Sequence, residues 1–318
     1  MQKPFERALD LAERGRGTTH PNPLVGAVVV RDGQVVGEGW HERAGGPHAE
    51  AMALGAAGEQ ARGAVLYVTL EPCAHHGRTP PCVDSILSAG VARVVVGAAD
   101  PNPKTDGEGF ARLRAGGVEV ELVDEELATR ARRQNEAWRM WISEGRPFVT
   151  YKAAVTLDGH VTIPGERWVT GEESRRRVHE LRAASDAVAV GMGTVRADSP
   201  RLDARDVVAE RQPRRLAFGR GPLPEGSGLE LASGSLADEL RRLGAEGVQS
   251  LLLEGGPTLA TAFLRAGLVD KLLLFVAPLV SGSGPRWVEN LDEPVAVSGF
   301  EAEQVGDDVV LTGYIHEP

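Results

Sequence analysis

The sequence predicts an α/β protein built from two consecutive layered units, and three observations carry that prediction. Apolar runs of strand length alternate with helical stretches through both halves of the chain. Glycine is abundant, at 39 of 318 residues, which suits tight turns between strands and helices better than a helical bundle. The stretch Ser143-Glu144-Gly145-Arg146-Pro147 breaks the alternation once, because Gly and Pro stop a helix and a new series follows.

The first series opens with a helix near 4–14, where Phe5, Ala8, Leu9 and Ala12 share one face. Strand 25–31, the turn Asp32-Gly33 and a second strand into Trp40 read as a hairpin. A helix from about His48 to Ala57 precedes strand 64–70, and another helix starts at about Cys82. Strand 93–97, a helix near 107–115 and strand 118–122 follow. One long helix is predicted from about Asp124 to Ile142, giving a unit of about five strands. The boundary is drawn at about residue 146. Beyond it the pattern predicts strand 148–155, helix 172–183 and strands 187–190 and 215–218. Helix 236–243, strand 250–253, helix 257–266 and strand 271–276 complete it. Residues 201–235 read as irregular, rich in Gly, Pro and Arg.

Composition narrows the function classes. A formal charge of −10 argues against nucleic-acid binding through a basic face, while leaving room for a small phosphorylated substrate held by a few arginines. No apolar run approaches the roughly 20 residues that span a bilayer, so no membrane partner is expected. The start, MQKPFERALDLAERG, reads as an amphipathic helix without a signal-peptide core, and the expected compartment is the cytoplasm. Cys73 and Cys82 are the two cysteines, too few for a disulfide scaffold.

Those cysteines belong to the most informative pattern in the chain: His48-Ala49-Glu50, then Pro72-Cys73 and, after eight intervening residues, Cys82. Hydrolytic deamination needs hydroxide at neutral pH, which zinc supplies by lowering the pKa of bound water toward about 7. It also needs a carboxylate near the metal that moves protons without ligating. His48, Cys73 and Cys82 are the expected ligands, and Glu50 the expected proton shuttle. Three protein ligands leave the fourth position open. Each cysteine follows a proline where a helix could begin, so that a helix dipole would favour its thiolate. A closed structural zinc site would instead recruit His75 or His76 as a fourth ligand. The zinc-deaminase signature separates its cysteines by two residues, whereas eight stand between them here.

His48-Ala49-Glu50 with Glu71-Pro72-Cys73-Ala74-His75-His76-Gly77-Arg78-Thr79-Pro80-Pro81-Cys82 resembles the deaminase half of the bifunctional riboflavin-biosynthesis deaminase/reductase family. The eight-residue insertion is similar to that family rather than to cytidine or tRNA-adenosine deaminases. The resemblance implies a cytidine-deaminase-like α/β/α layer sandwich over 1–145, acting on a diaminopyrimidinone with a phosphoribosylamino group. It implies substrate contacts from Asn22 in Pro21-Asn22-Pro23, from Asp100 and Asn102 in Asp100-Pro101-Asn102-Pro103, and from His75 and Arg78 toward the ribose phosphate. Read alone, each Pro-Asn-Pro segment is as well explained by a turn.

The second half carries weaker local signals. Gly191-Met192-Gly193-Thr194 is half of a dinucleotide fingerprint. Leu251-Leu252-Leu253-Glu254-Gly255-Gly256-Pro257-Thr258 reads as a buried strand entering a Gly-Gly turn and a helix, whose free N–H groups suit a phosphate. Arg175-Arg176-Arg177 cannot converge on one phosphate, because consecutive helical residues point about 100° apart; a solvated or inter-domain face is expected. Lys152–Gly159, Thr194–Leu202 and Glu254–Ala260 resemble the reductase half of the same family. That resemblance implies a dihydrofolate-reductase-like α/β domain over 146–318 that uses NADPH to turn ribosyl into ribityl. By position, Ala154, Trp168, Thr194, Asp198 and the turn Gly256, Pro257, Thr258, Leu259, Ala260, Thr261 and Ala262 would hold NADPH. Arg182, Leu202, Arg205 and Glu254 would hold substrate, and Lys152 or Asp198 would assist proton transfer. The cofactor 2′-phosphate has no assigned site. A homo-oligomer joined through the second unit is expected, with apolar strands such as 272–276 available to it. The rival readings are another nucleobase or nucleoside deaminase with an accessory domain, and a zinc-stabilised binding protein.

Overall fold

The structure is a computed structural model that describes residues 2–75, 80–102, 107–209 and 211–318. Two compact units part between Ser143 and Glu144.

The first unit is a five-stranded sheet in the order β2-β1-β3-β4-β5. Strands β1 (Gly26–Arg31) and β2 (Gln34–Trp40) form the hairpin, and β1 pairs antiparallel with β3 (Val65–Leu70). β4 (Arg93–Ala98) and β5 (Glu119–Leu122) continue parallel to β3. Strand side chains alternate between faces, and each face buries its own helices. Val28, Tyr67 and Val95 pack against Phe5, Leu9, Leu127 and Ala131, from α1 (Gln2–Glu13) and α5 (Glu125–Gln134). Ala27, Val29, Leu66, Val68, Val94 and Val96 face α2 (Ala49–Ala57), α3 (Cys82–Ala89) and α4 (Glu108–Ala115). This is an α/β/α sandwich.

The predicted long helix is two helices. α5 stops at Asn135 and α6 (Glu136–Glu144) begins after it. The buried Asn135 amide accepts from Leu24 N and donates to Leu24 O, both at 2.8 Å. It also pins the chain just after Pro21-Asn22-Pro23.

The second unit has eight strands in the order β12-β13-β11-β6-β10-β7-β8-β9. β11 (Lys271–Ala277), β6 (Phe148–Thr156), β10 (Ser250–Leu253), β7 (Ala187–Gly191), β8 (Arg214–Phe218) and β9 (Glu230–Ala232) run parallel. β12 (Ser298–Val305) and β13 (Asp308–Tyr314) add an antiparallel edge. Sequence reasoning passed over β9, β12, β13 and the helix α8 (Met192–Asp198). β12 is an edge strand with most residues exposed, so no buried apolar run marks it in the sequence. α8 is seven residues long and opens with Met-Gly. Helices α7 (Glu172–Ala184), α9 (Leu236–Ala245) and α10 (Pro257–Arg265) stand where the pattern expected them. Tyr151, Phe263 and Phe275 are fully buried in this unit.

Candidate active sites

Helix α2 is made of small residues, AEAMALGAA, and packs closely on the hairpin. A Cβ on Gly39 would stand 2.5 Å from Ala49 O, and one on Gly37 would stand 2.2 Å from Ala53 O. Neither position accepts a side chain while α2 stays in place. This contact fixes the helix start, where His48 is the N-cap residue and Glu50 lies in the first turn.

His48 Nδ1 lies 3.1 Å from Cys82 Sγ and 3.6 Å from Cys73 Sγ. All three donor atoms lie within 4.8 Å of one another. Around a tetrahedral zinc, with bonds of about 2.0 Å to nitrogen and 2.3 Å to sulfur, such donors stand about 3.5–3.8 Å apart. The donor set and its spacing fit that ion. Cys82 opens α3, as expected, but Cys73 does not open a helix. It sits in the loop after β3 and receives the helix's influence indirectly, through Cys82 N–H donating to its Sγ at 3.3 Å. Hydrogen bonding from Cys82, then from His48, lowers the Cys73 thiol to about 4 against the cost of burial. The same contact, burial and the nearby Glu50 push the Cys82 thiol up. A metal takes both cysteines as thiolates, so its binding would release any proton the pair still carries.

A cavity of about 490 Å³ opens on this cluster. His48, Glu50 and Cys73 line it together with the predicted Asn22, His75, Asp100 and Asn102. Arg78 and His76 fall outside the described residues. Glu50 is buried, and burial followed by the Cys73 charge raises its carboxyl above the ordinary value.

The cavity is also lined by residues to which the sequence assigned no role, among them His41, Glu71, Trp138 and Trp141. His41 Nδ1 lies 2.9 Å from Pro47 O, and since a carbonyl only accepts, Nδ1 carries the proton. Its Nε2 then accepts from Asn22 Nδ2 at 3.0 Å, which orients the Asn22 amide. Burial lowers the His41 pKa, and its ring meets His48 edge-to-face at 5.5 Å. Glu71 is buried and accepts from Asp100 N and Phe110 N, both at 3.3 Å, tying the start of the Asp100–Asn102 loop to that of α4. Asn102 N in turn donates to Asp100 Oδ1 at 2.8 Å. A lone histidine at a strand end carries no sequence signal, and Glu71 hid inside the motif that named its neighbour Cys73.

In the second unit, predicted residues gather at the carboxyl ends of parallel strands. Arg182 grips Glu254 with two hydrogen bonds, Nε to Oε1 at 2.6 Å and a terminal nitrogen to Oε2 at 2.9 Å. Lys152 Nζ stands 3.7 Å from the same carboxylate. Burial alone would raise Glu254, but Lys152 and Arg182 outweigh it and hold the carboxylate below its ordinary value. Burial lowers Lys152, partly offset by Glu254. Asp203, not predicted, joins the group: its carbonyl accepts from Arg182 at 3.2 Å and its carboxylate from Arg205 at 2.6 Å. Leu202 beside it is buried with a left-handed φ of 53°.

Ala154 shares its strand face with Lys152. Thr194 Oγ1 lies 3.8 Å from where a Cβ on Gly256 would stand, so the α10 N-cap leaves an open cradle of the kind a phosphate occupies. Pro257, Thr258, Leu259, Ala260, Thr261 and Ala262 follow within that helix. Asp198 ends α8, exposed and outside the Lys152–Glu254–Arg182 cluster. Trp168 is half exposed, with the guanidinium carbons of Arg167 and Arg175 5.0 and 5.4 Å from its ring centre. Arg176 and Arg177 turn to Glu180 instead, in keeping with a solvated face.

Comparison with known proteins follows the same division. Residues 1–98 match the cytidine and deoxycytidylate deaminase zinc-binding region, and residues 147–311 match the RibD C-terminal domain. The riboflavin biosynthesis protein RibD of Aquifex aeolicus is 41% identical, over 96% of this chain and 95% of the relative. Its counterpart in Escherichia coli is 39% identical, over 96% of each. The structure of Acinetobacter baumannii RibD superposes with a TM-score of 0.85 at 36% identity, covering 98% of both chains. A Thermotoga maritima deaminase/reductase structure gives 0.84 at 34%, covering 98% of this chain and 97% of that one. The chain belongs to the RibD family of riboflavin biosynthesis proteins, in which a zinc-dependent deaminase unit is followed by a reductase unit on one polypeptide.

Proposed function

We propose that the first unit hydrolytically deaminates 2,5-diamino-6-(5-phosphoribosylamino)pyrimidin-4-one and that the second reduces the ribosyl group of the product to ribityl. The observation that carries the reading is the His48, Cys73 and Cys82 donor set beside the buried Glu50, at the end of a cavity lined by polar groups. Zinc, when held there, supplies the Lewis acidity that makes hydroxide available near neutral pH. Glu50 accepts the proton of the attacking water and delivers it to the departing amine. Asn22, oriented by His41, and Asp100, whose loop is tied down by Glu71, would hold the ring edge. His75 would sit nearer the ribose.

NADPH supplies the hydride in the second unit. The Gly256–Ala262 turn, Thr194 and Ala154 would hold it, while Arg182, Arg205 and Glu254 would hold the sugar phosphate. Between the two candidates for proton transfer, we favour Lys152 over Asp198. Lys152 is buried against Glu254, which keeps its ammonium beside a hydroxyl-binding carboxylate.

No helix among the described residues is long and apolar enough to cross a membrane. We place the protein in the cytoplasm, where its two unpaired thiols would stay reduced. We also propose a homo-oligomer joined through the second unit, supported by the exposed Leu157, Leu279 and Val280, two of which are bonded through backbone. Light scattering that finds only monomer would remove that last point.

The deciding experiment supplies zinc, the pyrimidine and NADPH to the full chain and follows ammonia release and NADPH oxidation separately. Ammonia should appear without NADPH, and NADPH should be consumed only after deamination. Absence of both signals would overturn the reading.

A further inference from the structure

The segment between α8 and β8 carries Leu202 and Arg205, both expected to meet the substrate, on a backbone of unusual shape. Ser199, Leu202 and Asp206 have left-handed φ values of 44°, 53° and 61°, which L side chains rarely adopt. Such a backbone persists only where its surroundings fix it, and here they do. Leu202 is buried in a cluster with Val188, Val190 and Met192. Gln212 donates to Ala204 O at 2.8 Å and accepts from Ala204 N at 2.9 Å. Arg215 donates to Arg201 O at 3.1 Å.

Asp203 stands at the centre of this segment and makes contacts in two directions. Its backbone carbonyl accepts from Arg182 at 3.2 Å and lies 3.1 Å from His179 Nδ1, both residues of α7. Arg182 in turn grips Glu254, so one carbonyl ties the segment to the end of β10. The Asp203 carboxylate takes a guanidinium on each oxygen, Arg205 on Oδ1 and Arg201 on Oδ2, both at 2.6 Å. That side chain is 19% exposed, which sets it apart from the open surface pairs that water loosens. Burial would raise its carboxyl, but Arg205 and then Arg201 outweigh it and hold it below the ordinary value.

Each guanidinium gives Asp203 one terminal nitrogen, Nη1 of Arg205 and Nη2 of Arg201, and keeps the other unbonded among the described residues. Asp206 lies 3.9 Å from Arg205 Nε, beyond hydrogen-bond distance, and its side chain is almost wholly exposed. Two positive charges are thus held around one buried negative charge, with an open edge on each fork. A phosphate monoester has three terminal oxygens and can accept from both open edges without displacing the carboxylate between them.

We propose that Asp203 is a positioning residue of the reductase unit, holding Arg205 and Arg201 side by side so that both meet the phosphate of the substrate. The proposal rests on the reading that Arg205 holds the sugar phosphate, and it adds Arg201 to that site. Side chains already fixed by Asp203 lose little rotamer freedom when the phosphate arrives, so the carboxylate strengthens binding although its charge is negative.

The test uses the full chain with NADPH and compares reduction of the deaminated phosphoribosylamino product with reduction of its dephosphorylated riboside. Asp203→Ala and Arg201→Gln should each raise KM for the phosphorylated substrate about tenfold, with kcat within about twofold and the riboside's KM unchanged. Asp203→Asn keeps an acceptor for one guanidinium and should fall between Asp203→Ala and the unaltered chain. An unchanged KM in Asp203→Ala would overturn the proposal. So would a lower KM, which would make the carboxylate a competitor of the phosphate, or an equal rise for the riboside, which would make its role structural. If the unaltered chain does not distinguish the two substrates, the reading of Arg205 itself fails and takes this proposal with it.

Discussion

Glu50 stands two residues from His48 without belonging to the donor set, so its role can be separated from metal binding. Glu50→Gln should retain zinc at one per chain by metal analysis while ammonia release falls by about a thousandfold. NADPH oxidation with deaminated substrate should be unaffected. Lys152→Met should show the opposite pattern, with deamination intact and reduction slowed by about a hundredfold or more. If both activities fall together, the change has acted on folding instead. At this scale the clustered donors His48, Cys73 and Cys82 were legible because local motifs encode them. His41 was not, since its importance comes from a carbonyl at Pro47 and an amide at Asn22, neither of which marks it in the sequence.

Among the elements, α2 is positioned by what the hairpin lacks. Gly39→Ala would drive a methyl into Ala49 O, so α2 must shift and carry His48 and Glu50 with it. Zinc affinity measured by competition with a chelator should fall at least tenfold, together with the melting temperature. A second element-scale device is the Asp158 carboxylate after β6. It accepts from Thr156 Oγ1 at 2.6 Å and from the backbone of Ser281 and Gly282 at 3.0 and 2.7 Å. The Thr156 hydrogen bond leads in holding it below the usual carboxylate range. A depressed folded pKa means the stabilisation is present above the unfolded value of about 3.9 and is lost as pH falls below it. Asp158→Asn should therefore be less stable at neutral pH and flatter below about pH 4 in acid unfolding followed by fluorescence. The helix break at Asn135 was hidden because asparagine sits in helices often enough, and nothing near it in the sequence points to its partner Leu24.

For the whole molecule, each unit carries its own sheet and its own core. Removing zinc from the full chain with a chelator should abolish ammonia release yet leave NADPH affinity within about twofold, and added zinc should restore deamination. Loss of NADPH binding on chelation would show that the units depend on each other. The sequence by itself determined the His48, Cys73 and Cys82 donor pattern, the alternating elements and the family, because each is written within a few dozen neighbouring residues. Only the tertiary structure decided the strand order, and with it which distant residues meet. Arg182 and Glu254 are 72 positions apart and become partners because helix α7 packs back on the sheet, which sets Arg182 beside the residue that follows β10. The same ordering sets β8 beside β7, and so brings the Arg220 carbonyl to Arg196.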